Sequence, residues 1–139
     1  MIAYFPSDLL WATRIKSTAE ALGLSARPVR SVDMVRERFG DSPVTSVIVD
    51  LAGDVALGLE IIRAARACEA ERVGATTGSG VEDRDPRGGG GDRVRIVAFG
   101  PHVDREALQG ARDAGADEVM PRGAFSNHLP DLLLRLESR

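Results

Sequence analysis

Apolar runs alternate with amphipathic stretches along the whole chain, the pattern of βα units built around a parallel sheet. Ile2 to Phe5 reads as a first strand. Trp11, Ile15, Thr18 and Leu22 then recur at helical spacing, and Gly23 stands where a left-handed helix stop is wanted. Trp11 belongs to this core stripe, while Leu10 lies off it and is expected at the surface. Ala26 to Arg30 supplies a short second strand, and Pro28, which cannot donate to a ladder, places it at an edge. Ser31 caps a helix that turns Val32, Val35 and Phe39 inward and closes at Gly40. Val44 to Asp50 forms a third strand and Leu57 to about Ala70 a third helix. Val94 to Phe99 is a fourth strand, followed by a helix from Asp104 to Ala114 that ends at Gly115. Glu118 to Met120 makes a short fifth strand. Ser126 caps a last helix carrying Leu129, Leu132, Leu133 and Leu136, with Pro130 tolerated in its first turn.

The stretch from Gly74 to Asp92 breaks the pattern. It is rich in glycine and mixed charge, ends in Gly88 to Gly91, and has no hydrophobic period with which to offset its ordering entropy. It reads as a flexible insertion between the third helix and the fourth strand of one domain spanning residues 1–139. Gly74 to Gly80 has a faint likeness to a phosphate-cradling loop, but no lysine follows and no strand leads directly into it.

Composition narrows the function classes. With 139 residues, 43% of them hydrophobic, the chain supports a single sizeable core. A net charge of -3 leaves no basic footprint for nucleic acid. No apolar run is long enough to span a membrane, and the short apolar start lacks the basic region of a secretory signal. The lone Cys68 rules out an internal disulfide and agrees with a reducing, cytoplasmic location. His102 and His128 have no cysteine partner or paired spacing, so zinc is not indicated. Arg63, Arg66 and Arg72 are interspersed with Glu60, Glu69 and Glu71, as on a solvated helix face.

The candidate chemistry centres on Asp50, the acid ending the run Val47-Ile48-Val49-Asp50. A buried parallel strand presents such a carboxylate at its carboxyl edge, where open α/β sheets keep their sites. Asp50 followed by Gly58-Leu59-Glu60, and Ala114-Gly115-Ala116-Asp117-Glu118-Val119 leading into the fifth strand, resemble the receiver domains of bacterial response regulators, the CheY-like family. The resemblance covers nearly the whole chain outside the insertion, and the chain stops just after the fifth helix, where a receiver ends. It implies a flavodoxin-like (βα)5 doubly wound parallel sheet of order 2-1-3-4-5, with Asp50 at the phosphoacceptor position.

The same resemblance marks a vestigial site. The family's acid pair after the first strand aligns with Pro6 and Ser7, and Asp8 stands one place late, suited to capping the first helix. The family's hydroxyl residue aligns with Gly100 and its lysine with Arg122, whose forked guanidinium is not equivalent to an ammonium. Phosphoryl transfer needs a cation and preorganised donors, each worth several kcal/mol by order of magnitude. The expectation is therefore a pseudo-receiver, not an enzyme, acting in signal transduction as a phosphorylation-independent protein-interaction module. Its partners would be proteins, among them a histidine kinase, an output protein or a second copy of the chain, with neither nucleic acid nor membrane. No cofactor is expected. The alternatives are a phosphoaccepting receiver, with Mg²⁺ held weakly by Asp8 and Asp50, and a small-ligand sensor at the carboxyl-edge crevice. Arg122 is expected to pair with Asp50; otherwise Asp50 is wet and bonded to nearby backbone.

Overall fold

The computed structural model describes residues 1–76 and 93–137. Five parallel strands, β1 (Ile2–Phe5), β2 (Ala26–Pro28), β3 (Ser46–Asp50), β4 (Arg95–Gly100) and β5 (Glu118–Pro121), form one sheet in the order β2-β1-β3-β4-β5. The helices are α1 (Leu9–Ala21), α2 (Val32–Asp41), α3 (Val55–Thr76), α4 (Arg105–Ala114), α5 (Arg122–Asn127) and α6 (Leu129–Glu137). Because successive strand side chains point to opposite faces, the central strands divide their residues between two cores. Ala3, Phe5, Val47, Val49, Ile96 and Ala98 pack under α2, α3 and α4. Ile2, Tyr4, Ile48, Val97 and Phe99 pack with Trp11 and Ile15 of α1, Phe125 of α5 and the leucines of α6. Both faces of β3 are covered, which is why it reads as a continuous apolar run ending in one charged residue.

Local signals match the elements they announced. Ser31 accepts from the Met34 N–H and caps α2, and Gly23 (φ 74) follows α1 in the left-handed region. Leu10 is 71% exposed, and Trp11 is buried. Several boundaries differ. Ser126 caps nothing: it lies inside the short α5, which begins directly after Pro121, and α6 starts separately at Leu129 beyond the exposed His128. Pro121 cannot extend the β5 ladder with an N–H, and its fixed φ of -66 leads straight into a helical turn. The third helix runs past Ala70 to Thr76, so Gly74 to Thr76, assigned to the insertion from composition, continue a helix. The rest of that insertion lies outside the described residues.

The reading of a solvated arginine face also needs correction. Arg66 donates to Gly115 O (2.8 Å), Val94 O (2.9 Å), Glu69 Oε1 (2.9 Å) and Asp117 Oδ2 (2.7 Å), and its side chain is only 20% exposed. Glu69 also accepts from the Val94 N–H, and Asp117 from the Ile96 N–H and Arg93. This network ties α3 to the start of β4 and to the turn before β5. Gly115 is required there: at φ 121 an added Cβ would lie 2.9 Å from Arg66 Cγ.

Two buried groups make stability alkali-sensitive. Burial pushes the Tyr4 phenol above its ordinary 10.0, with Arg30 opposing and Glu20 assisting. Burial likewise raises the Cys68 thiol above 9.0, assisted by Glu71 and opposed by Arg36 and Arg72. In both cases folding favours the neutral form, so the stabilisation is complete below the unfolded values and is lost as pH rises through the raised ones. The urea midpoint should hold to about pH 9 and fall above it, and Tyr4→Phe should flatten the upper part of that fall. A wild-type midpoint unchanged up to about pH 11 would contradict the assignment.

Candidate functional site

Asp50 closes β3 at the carboxyl edge and is completely buried, a residue exposure of 0%. The register pairs Phe5 with Val49, so the chain leaving β1 passes directly beside Asp50. Ser7 uses that approach twice. Its N–H donates to Asp50 Oδ2 at 3.1 Å, and its hydroxyl donates to the same oxygen. Oδ1 accepts from the Ala52 N–H at 3.0 Å. Both carboxylate oxygens are therefore engaged by neutral donors, as a buried carboxylate requires. The loop after β3 folds back over this contact: a Cβ on Gly53 would lie 3.2 Å from Ser7 Cβ. The expectation that Asp50 bonds nearby backbone holds, but Asp50 is not wet.

Beneath the carboxylate the site is apolar. Leu51, 1% exposed, gives its N–H to Phe99 O (2.8 Å) and fills the space between β4 and α3. A Cβ on Gly58 would approach Leu51 Cδ2 to 3.1 Å, and one on Gly100 would approach Leu51 Cβ to 3.2 Å. Gly100 thus does more than omit a hydroxyl; it lets β4 close against Leu51. On the other face of the sheet, Phe99 stacks on Phe125 (centroids 3.8 Å, 5°), and Trp11 leans on both at 5.0 and 5.5 Å.

The remaining candidates disperse. Asp8 caps α1, its side chain accepting from the Trp11 N–H at 2.9 Å, the role its position suggested. Arg122 does not reach Asp50. Strands β3 and β5 are not neighbours, because β4 lies between them, and Arg122 opens α5 as an exposed side chain with no hydrogen bond or ion pair among the described residues. His102 and His128 are both exposed, one in the turn after β4 and the other between α5 and α6. Among the described residues no three His, Cys, Asp or Glu side chains gather where a metal ion would sit. The Pro6 side chain offers no ligand atom, Asp8 is turned to its helix, and both Asp50 oxygens already accept hydrogen bonds.

Sequence reasoning weighed Ser7 only as a poor metal ligand and missed it as the donor that closes the site. A hydroxyl two residues beyond one strand, beside the acid ending its neighbour, was the available signal. Gly53 gave no signal of its own.

The fold is that of the receiver domains of response regulators. The chain is similar to the receiver domain of the sensor histidine kinase PA1611 from Pseudomonas aeruginosa PAO1, solved with a magnesium ion coordinated in its active-site cleft (17% identity, TM-score 0.66, 99% of this chain and 97% of that one). It is similar to the BeF3-activated DrrB receiver domain (14% identity, TM-score 0.66, 99% and 97%). It also matches a chain of the Saccharomyces cerevisiae complex of the histidine phosphotransfer protein Ypd1 with the receiver domain of Ssk1 (14% identity, TM-score 0.69, 97% and 86%). No family model matches the sequence, and no curated protein matches it. No helix among the described residues is long and apolar enough to cross a membrane.

Proposed function

We propose that this chain is a pseudo-receiver: a protein-binding module of two-component signal transduction whose carboxyl edge is held in one state without phosphorylation. The observation that carries the reading is the closure of Asp50 by Ser7 and Ala52 in a fully buried setting. A phosphoryl group arriving at Oδ2, which accepts both the N–H and the hydroxyl of Ser7, must displace at least one of these donors, each worth about 1.5 to 3 kcal/mol to a charged acceptor. Its partner class is a protein of the same signalling systems, such as a histidine kinase, phosphotransfer or output protein. The chain acts by binding, with no cofactor and no turnover of its own.

Incubation with acetyl phosphate, or with beryllofluoride and Mg²⁺, should leave the intact mass and the amide spectrum unchanged. Stoichiometric modification at Asp50 would instead make the chain a phosphoaccepting receiver.

A further inference from the structure

The last part of the fold is two short helices, α5 and α6, with His128 between them. Pro130 is the reason they part. It has no N–H, so the carbonyl of Ser126, four residues earlier, loses the donor a continuous helix would give it. His128 still donates to Ala124 O at 3.1 Å, closing α5, and its own carbonyl accepts from the Leu132 N–H at 2.8 Å, opening α6. The donor that Ser126 O does receive comes from another helix: Arg14 of α1 reaches it with Nη2 at 3.3 Å. The same guanidinium lies 5.1 Å from the centroid of the Trp11 ring. Among the described residues Arg14 has no ion pair to hold it elsewhere.

Left to itself, α5 is a weak helix. It has six residues, far short of the length that holds in water, contains Gly123, and follows Pro121 with no side-chain cap. Phe125 is its buried side chain, whereas α6 buries Leu129, Leu132, Leu133 and Leu136. The second helix is anchored and the first hangs from it. Besides the Phe125 ring, what places α5 is Arg14, and the Arg14 contacts lie at the surface with a long hydrogen bond. Such contacts hold an element without fixing it.

We propose that α5 is a hinged element: Pro130 makes the joint, and Arg14 is the releasable latch that ties α5 to α1. Phe125 carries any motion inward, because its ring stacks on Phe99, the register partner of Asp50. A contact that draws Arg14 away from Ser126 loosens α5 beside the carboxyl edge and leaves α6 in place. The hinge does not depend on the pseudo-receiver reading: it stands whether or not beryllofluoride modifies Asp50.

Amide hydrogen exchange tests the latch in the wild type, in Arg14→Ala, and in Arg14→Ala combined with Pro130→Ala. Both side chains are exposed, so circular dichroism melts should show an intact fold in each variant. In Arg14→Ala the amides of Ser126, Asn127 and His128 should exchange about threefold to tenfold faster, with Leu132 and Leu133 unchanged. Arg14→Met, which keeps a stem over Trp11 but cannot donate, should also speed them. Adding Pro130→Ala supplies Ser126 O with an intrahelical N–H, and α5 exchange should return to the wild-type rate or below it. Unchanged α5 exchange on losing Arg14 overturns the proposal. Equal acceleration in α6 also overturns it, as general loosening of the domain. So does failure of Pro130→Ala to restore protection, since the Ser126 carbonyl would then not be what Arg14 serves.

Discussion

Asp50→Asn should destabilise the domain by about 2 kcal/mol, although it removes only a charge and keeps the shape. Three donors converge on the carboxylate: the Ser7 N–H and hydroxyl on Oδ2, and the Ala52 N–H on Oδ1. An amide has one acceptor oxygen, so its NH2 group must face an N–H on one side or the other. At complete burial no water relieves that clash. The substitution would be mild only if a guanidinium were the partner, and Arg122 is not. Ser7→Ala should cost less, about 1.5 kcal/mol, because two backbone donors remain. Urea unfolding of the three proteins checks the order; an Asp50→Asn loss below about 0.5 kcal/mol would mean the carboxylate is not held as described.

Arg66→Ala should be the more damaging change, at about 3 kcal/mol or more. Its guanidinium serves two carbonyls and two carboxylates, and all of them lie at the junction of α3, β4 and the turn before β5. Removing it leaves Glu69 and Asp117 facing each other's neighbourhood with less compensation, at side-chain exposures of 15% and 23%. Arg66→Lys should recover only part of the loss, since one ammonium cannot reach four acceptors in a fork. The check is again the urea midpoint, joined by amide exchange at Val94 and Ile96, whose N–H groups are held by Glu69 and Asp117. Unchanged exchange at both would separate the network from sheet stability.

The sheet was legible because its signals are local and repeated. Val47 to Val49, Ile96 to Phe99 and the cap Ser31 each announce their element within a few residues. What stayed hidden depends on side chains meeting across the fold. Ser7 and Asp50 are 43 positions apart, and Arg66 and Asp117 are 51 apart. Spacing on one helix made Arg66 look solvated because the partners that bury it come from elsewhere. Arg122 misled for the opposite reason: its charge suited Asp50, but the intervening β4 separates their strands. The last helix was mistaken at its start because Ser126 looks like a cap in sequence, whereas Pro121 had already set the chain into a helical turn.

The three-ring cluster of Trp11, Phe99 and Phe125 has an optical consequence. Trp11 is the only tryptophan in the chain, so all indole emission comes from one buried place. That place joins α1, β4 and α5, and Phe99 is the register partner of Asp50. The core under α2, α3 and α4 lies across the sheet from it. Fluorescence is therefore a directional probe built into the wild-type chain: rearrangement at the carboxyl edge disturbs the stack and shifts the spectrum, while a change confined to the α2 and α3 side of the sheet leaves the spectrum where it was.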